Sequence, residues 1–440
     1  MTNFEIGLWS FPVLLALIFL RIPIAIAMLV VGFGGNYLVT GSTGMVFSQL
    51  KHTTYGTFSS YSFSIIPLFL LMGQFATLGG MSAALFKAAE NWLGHKRGGV
   101  AMAAVGACAG FGAICGSSLA TAATMGQVAL PELRKYGYSG PLATGALAAG
   151  GTLGILIPPS VILVIYAILT EQNIAKLFAA AFIPGILAAI SYMIAISIYA
   201  HLSKDSGQLR ERLTYRDRLK SLLPVWPVML IFLLVVGGIY AGIFTPTEAA
   251  AVGAAGTGVV AILSGGMTFG KLKEAILSTA NTTAMIFMII LGAGFFNSFL
   301  ALTQLPQEMA VFVAEQSFSP WLVLFLVLVL YLVFGCVMDS LSMVLLTVPI
   351  FFPIMVALDF GLSPDEFGLW FGILVLIVVE VGLITPPVGM NLFVINGMAP
   401  EIPIGQTFRG VLPFVITDIV RVAILAAFPA ITLGLVWLMY

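Results

Sequence analysis

Two proline pairs, Pro158–Pro159 and Pro386–Pro387, interrupt hydrophobic stretches that are otherwise apolar enough to cross a bilayer. The first lies in Gly-Thr-Leu-Gly-Ile-Leu-Ile-Pro-Pro-Ser, from Gly151 to Ser160. The second lies in Gly-Leu-Ile-Thr-Pro-Pro-Val-Gly-Met-Asn, from Gly382 to Asn391. In each a glycine, Gly154 or Gly382, is followed by three residues and then the pair. Consecutive prolines remove backbone donors and clash with the preceding turn, so a helix cannot run through them undisturbed. In hydrocarbon an unpaired backbone group costs several kcal/mol, so such a break survives only where it lines a polar cavity or is buried in protein. A break at corresponding positions of two halves is the sequence pointer to a transporter's binding site.

The rest of the chain supports a membrane setting. Of 440 residues, 60% are hydrophobic and 8% charged, with a mean hydropathy of +1.10. Soluble domains carry roughly 25% charged residues. Spanning-length apolar stretches recur from end to end. The N-terminus lacks a basic region ahead of its first apolar run, so no cleavable signal is expected. A formal net charge of zero predicts no nucleic-acid partner. Cys108, Cys115 and Cys336 sit among apolar and glycine residues and read as small packing groups.

The 18 basic residues set the topology. Six fall between Lys204 and Lys220, and none between Lys273 and Arg409. Short loops rich in Lys and Arg stay cytoplasmic, which puts the central linker, residues 204–220, inside. It divides the chain into halves 1–203 and 221–440. Threading outward, spans fall near Glu5–Leu20, Ile22–Thr40, Thr57–Gly79, Ser139–Thr170 and Ala175–His201. In the second half they fall near Ser221–Ile243, Thr247–Gly265, Ala275–Leu302, Phe367–Gly397 and Phe408–Tyr440. That makes ten crossings with both termini outside. Fifteen of the basic residues then lie at the cytoplasmic face, Lys51 and Lys176 outside, and Arg421 within a span.

Two apolar regions do not fit as spans. Residues 98–131 are flanked on both sides by basic pairs, Lys96–Arg97 and Arg134–Lys135, so both ends are cytoplasmic. Two crossings at roughly 20 residues each would not fit. The region is expected to dip in and return as a re-entrant helical hairpin, with Ser117 and Ser118 at its tip. Residues 320–358 are flanked by acids and should dip in from outside, with Asp339 and Ser340 at the tip. An amphipathic piece, Gly80–His95, precedes the first, and a short piece, Gln304–Gln316, the second. The expected fold is therefore all-α and integral to the membrane, an inverted-topology repeat with two re-entrant hairpins (98–131, 320–358) and two broken spans (139–170, 367–397).

Backbone carbonyls freed at unwound helices and side-chain hydroxyls suit a hard cation such as Na+. One candidate Na+ site joins Ser117 and Ser118 to Gly151, Thr152, Gly154 and Pro158. A second joins Asp339 and Ser340 to Gly382, Thr385, Pro386, Gly389 and Asn391. The substrate-binding candidates are Ser117, Ser118, Ser160, Ser340 and Asn391. An ionisable residue deep in the bilayer points to function, although Asp339 also suits an N-cap of the returning helix. Glu380, just before the second break, has no evident partner and is a weaker candidate. Thr245-Pro-Thr-Glu248 reads as a helix cap, and Asp418 with Arg421 as a pair neutralised along one helix. No metal-ligand spacing or nucleophile–base pair is visible, and His52, His95 and His201 fall at predicted membrane edges, which argues against an enzyme. With no basic residue between Lys273 and Arg409, an anionic substrate would be met by half-helix N-termini and bound Na+.

Several motifs in this order resemble the large membrane subunit of tripartite ATP-independent periplasmic (TRAP) transporters. They are Leu-Arg-Ile-Pro-Ile-Ala from Leu20, Gly-Ser-Ser-Leu-Ala-Thr-Ala-Ala from Gly116, Gly-Ile-Leu-Ile-Pro-Pro-Ser, Thr-Pro-Thr-Glu-Ala-Ala-Ala, and Thr-Pro-Pro-Val-Gly-Met-Asn-Leu-Phe-Val. The resemblance spans essentially the whole chain. It implies an elevator transporter of the bacterial cytoplasmic (inner) membrane, driven by a Na+ gradient. It also implies a small four-span membrane subunit as a separate chain, and a periplasmic binding protein that delivers an organic acid. A self-sufficient Na+/carboxylate symporter of the same architecture is the alternative.

Overall fold

In the computed structural model, which describes residues 1–202, 207–316 and 318–440, nearly the whole chain is helical and no strand occurs among the described residues. The expected boundary at 203 and the first linker residues, 204–206, lie outside the described residues. Among those described, six helices are long and apolar enough to cross a membrane, or seven if the bent pair Gly140–Leu156 and Val161–Leu169 counts as one span.

The helices of the first half run Asn3–Phe19, Ile24–Thr40, Thr43–Ser59, Ile65–Leu78 and Met81–Leu93. They continue through Gly99–Cys115 and Ser118–Lys135, the bent pair, and Ile174–Leu202. The second half repeats the order. Trp226–Phe232, a π-helical turn and Gly238–Tyr240 lead to Pro246–Leu263, Phe269–Thr303 and Leu305–Glu315. Then come Pro320–Gly335 and Ser340–Val356, Pro364–Gly382 and Met390–Gly397, and Ile404–Ala427 with Pro429–Met439.

Caps explain several boundaries. Thr245 and Glu248 form the expected capping box, each side chain bonded to the other's backbone N–H. The structure corrects the sequence reading at three places. The residues between Thr40 and Thr57, to which the sequence reading assigns no element, are helical, and no span starts at Thr57: Gly41 ends the preceding helix at φ +65, and Ser42 caps a separate helix, Thr43–Ser59. The first hairpin runs to Lys135 rather than 131, carrying Pro131 within its helix. The last segment is two helices, because Phe428 ahead of Pro429 is extended.

Packing is reciprocal between the halves. Ile24–Thr40 lies on Phe269–Thr303, and Ile65–Leu78 lies on Pro246–Leu263. Thus the second long apolar helix of each half meets the third of the other. Both contacts are close because glycine faces phenylalanine: a Cβ on Gly32 would lie 3.1 Å from the Phe296 backbone, and one on Gly258 3.2 Å from the Phe75 ring. Small residues let helices approach in an apolar solvent that offers no hydrophobic drive between them.

The described linker, 207–220, straps the base of the first helical hairpin. Arg210 pairs with buried Glu90 at 3.1 Å and donates its backbone N–H to Gly94 O, while Gln208 N–H donates to Tyr136 O at 2.7 Å. Trp92 Nε1 donates to Arg218 O at 3.2 Å. Partial burial and then the Arg218 guanidinium hold the His95 imidazole below its ordinary range.

Within each half the first hairpin arm packs on the broken span through a glycine pair. A Cβ on Gly112 would lie 2.5 Å from Gly154 Cα, and one on Gly382 2.5 Å from the Gly335 carbonyl carbon. Gly112→Ala is therefore expected to destabilise the protein by ~1–3 kcal/mol, the cost of overpacking against backbone that cannot rotate away. Gly34→Ala, whose Cβ meets nothing within 4 Å, should leave the midpoint unchanged. Thermal unfolding of the detergent-solubilised variants checks both.

Candidate functional site

At the first break the helix Gly140–Leu156 ends in extended Ile157, and Ser160 restarts the chain by accepting from Leu163 N–H as the cap of Val161–Leu169. The two segments meet at 46°, and residues 151–160 are all buried. At the second break Gly389, at φ +65, leads into Met390–Gly397. The freed backbone is satisfied locally: Asn391 N–H donates to Leu383 O at 3.1 Å and Gly389 N–H to Cys336 O at 3.3 Å. Both proline pairs are joined by cis peptide bonds. Pro386 and Pro387 are exposed, whereas Pro158 and Pro159 are buried.

The hairpin tips are built alike. Gly116 turns at φ +63 and Ser117 caps Ser118–Lys135, accepting from Ala120 N–H. In the other tip Asp339 caps Ser340–Val356, accepting from Ser342 N–H at 3.0 Å and Ser342 Oγ at 2.5 Å. Capping thus occupies much of the Asp339 carboxylate, which is half-buried.

The tips converge on one residue from the second broken span. Ser118 Oγ donates to Glu380 Oε2 at 2.5 Å, and Ser340 faces the same carboxyl group. Glu380 is 1% exposed, and its Oε1 has no hydrogen-bond partner among the described residues. Beside this junction lies a cavity of about 150 Å³. Ser117 and Ser118 line it from one tip, Asp339 and Ser340 from the other, and Thr282 and Ile286 from Phe269–Thr303. Its polar lining is hydroxyl and carboxylate, with no basic side chain. Such a wall suits a hard cation through oxygen ligands, and the N-terminal ends of the returning arms suit an anion.

Not every sequence candidate joins this cluster. Gly154 does, pressed against Thr121 Oγ1 and Ser117 O, and Gly116 lies against the Pro159 carbonyl. Gly151 packs on Ala122 and the Asn391 amide. The Thr152 hydroxyl turns away, donating to Ala149 O at 2.6 Å and meeting Tyr192 OH at 3.2 Å, so only its backbone is available near the break. In the second set, Gly382 packs on Gly335, Thr385 Oγ1 donates to Val381 O, and Pro386 faces outward. Asn391 Nδ2 reaches across to Ala148 O at 3.3 Å. Ser160 and Asn391 are off the cavity wall: Ser160 caps a helix and Asn391 Nδ2 ties the halves, while the buried Asn391 Oδ1 has no hydrogen-bond partner among the described residues.

Three contributors were missed or undervalued. Glu380 finds in Ser118 the partner that sequence did not show. Thr121, buried with its hydroxyl unpartnered among the described residues, stands four residues after Ser117, a helical-face signal that was readable. Thr282 comes from another helix and carries no local signal at all.

The geometry can be set beside known proteins. Residues 11–431 match the family model for the tripartite ATP-independent periplasmic transporter, DctM component. The chain is 39% identical to a C4-dicarboxylate TRAP transporter large permease protein of Pseudomonas aeruginosa, covering 86% of this chain and 87% of the relative. It is 31% identical to the sialic acid TRAP transporter large permease protein of Vibrio cholerae, over 95% and 96% of the two chains. It is 30% identical to an isethionate TRAP transporter permease protein of Oleidesulfovibrio alaskensis, covering 93% of this chain but 63% of that longer one. The fold resembles the crystal structure of the YdaH transporter of Alcanivorax borkumensis, with a TM-score of 0.64 at 16% identity over 90% of each chain.

The Ser118–Glu380 bond gives a stability test. Ser118→Ala removes the short bond to Oε2 of a buried carboxyl group, at an expected cost of ~1–3 kcal/mol. In a Glu380→Gln background the same change should cost less, because the carboxyl group that Ser118 serves is no longer there. Thermal melts of the two single variants and the double variant, read as a cycle, measure the coupling.

Proposed function

The chain belongs to the DctM family of tripartite ATP-independent periplasmic transporters, and on that footing we propose that it is the subunit that carries an organic acid anion inward across the bacterial cytoplasmic membrane. The carrying observation is the small cavity where both hairpin tips meet beside Glu380. The relatives named for C4-dicarboxylate, sialic acid and isethionate transport act on acids of different shape, which supports the acid class rather than one member. A periplasmic binding protein supplies the substrate, and a small four-span membrane subunit accompanies the chain. The longer relative of Oleidesulfovibrio, with over a third of its length beyond the match, supports an additional membrane component.

The proposed architecture is an inverted repeat of ten crossings, with both termini outside and hairpins re-entering from opposite faces. The repeated helix order, the reciprocal packing of Ile24–Thr40 and Ile65–Leu78, and the basic residues around the first hairpin support it. Na+ is the coupling ion. It is held where tip hydroxyls meet break carbonyls, at Ser117, Ser118, Gly151, Thr152, Gly154 and Pro158, and at Asp339, Ser340, Gly382, Thr385, Pro386, Gly389 and Asn391. Oxygen-rich tips with no basic side chain support this choice, since bound cations then supply the positive charge an acid requires. Transport is by an elevator movement. Hairpins and broken spans are joined by glycine contacts, and the cavity lies where they face Phe269–Thr303, which suits sliding of one group past the other.

Uptake of labelled organic acids into proteoliposomes tests the reading, with the four-span partner present, each binding protein added or omitted, and a Na+ gradient imposed or collapsed. The expected result is uptake that requires both the gradient and one binding protein. Gradient-driven uptake without any binding protein would make the chain a self-sufficient Na+/carboxylate symporter. Uptake indifferent to Na+ would remove the proposed coupling ion.

A further inference from the structure

The first broken span is held from behind by a chain of buried polar groups that the cavity does not use. Tyr192 OH, 3.2 Å from Thr152 Oγ1, donates to Asp418 Oδ2 at 2.7 Å. Asp418 Oδ1 pairs with Arg421 Nη2 at 2.7 Å, and the Arg421 guanidinium lies over the Tyr192 ring at 5.4 Å. All four side chains are buried. They come from three helices: Gly140–Leu156, Ile174–Leu202 and Ile404–Ala427.

Proton counting gives this chain a direction. A tyrosine hydroxyl has one proton, and here it goes to the Asp418 carboxylate. The Tyr192 oxygen therefore faces Thr152 as an acceptor, and the single Thr152 proton is divided between it and the Ala149 carbonyl 2.6 Å away. Back-bonding of a threonine hydroxyl to the preceding turn bends a helix. Thr152 lies between Gly151 and Gly154, in the last turns before the proline pair. The network thus acts on the backbone that packs against the first tip.

As a stabilising device the ion pair is poor. A buried pair is often no better than apolar residues of the same volume. Moreover, Arg421 Nε and Nη1 have no hydrogen-bond partner among the described residues. What the pair does supply is a fixed orientation: Arg421 holds Asp418, Asp418 holds the Tyr192 proton, and Tyr192 holds Thr152.

We propose that Asp418, acting through Tyr192, is a positioning residue that fixes the first break and thereby sets the affinity for the coupling cation. This rests on the Na+ reading above. Asp418 lies off the cavity wall, so any effect of its removal on ion affinity passes through the break.

The test uses the full chain with its four-span partner. Tyr192→Phe removes one oxygen while keeping the ring against Phe414 and Arg421, and Asp418→Asn removes the charge. Each is expected to raise the Na+ concentration for half-maximal uptake by about fivefold, the equilibrium equivalent of one hydrogen bond. The double variant should be no worse than either alone. Hydrogen exchange should quicken at the amides of residues 150–157 in both. Phe414→Leu, which loosens the edge-on contact with the Tyr192 ring, serves as the packing control. It should lower the melting point without changing Na+ dependence or exchange at the break. Unchanged exchange and Na+ dependence in Tyr192→Phe would overturn the proposal, as would equal effects in Phe414→Leu. Uptake by the unsubstituted protein that ignores Na+ would refute the coupling reading, and exchange at residues 150–157 would then decide the positioning role by itself.

Discussion

Everything at the cavity depends on how closely backbone can approach backbone. The first arm of each hairpin meets its broken span at a glycine pair, Gly112 on Gly154 and Gly335 on Gly382, where a single methyl would lie 2.5 Å from main-chain carbon. That contact seats the hairpin deeply enough for its tip to reach the break. It also settles the problem the proline pairs create. Peptide groups freed by a broken helix are tolerable in an apolar setting only when other protein groups meet them. Here the Cys336 carbonyl takes the Gly389 N–H and the Leu383 carbonyl the Asn391 N–H, while Gly116 packs closely against the Pro159 carbonyl. Break and tip are therefore one unit, and neither is a stable arrangement without the other.

Glu380 shows the same dependence with a buried carboxyl group in place of peptide groups. A carboxyl group 1% exposed carries a large desolvation cost. Among the described residues Ser118 donates to it, and Ser340 faces it. Both serines stand at the start of a returning helix. Arg421 is the one buried base on the neighbouring helix Ile404–Ala427, and it is already committed to Asp418. Glu380 thus sits where the two tips meet, and its burial depends on both.

Much of this was legible in the sequence, for reasons that differ by residue. The breaks were visible because proline acts on the backbone wherever it stands. The hairpin tips were visible because basic pairs flank the first and acids flank the second. The Asp339 cap, the Thr245–Glu248 box and the Asp418–Arg421 pair followed from spacing along one helix. What sequence does not show is whatever needs a second helix to interpret: the Tyr192 hydroxyl behind Thr152, and the cross-half bond from Asn391 Nδ2 to Ala148 O. Thr43–Ser59 is too polar to read as a span, and only the Gly41 turn taken with the Ser42 cap marks its start.

The two halves repeat each other in element order, yet their breaks are not in the same state. Pro158 and Pro159 are buried, and Ser160 closes the gap with a cap. Pro386 and Pro387 are exposed, and Gly389 must adopt a left-handed conformation to restart the helix. Equivalent sequence devices thus sit in unequal surroundings. The buried break meets only groups of its own chain, whereas the proline rings of the other stand at the surface, where a neighbouring molecule can meet them.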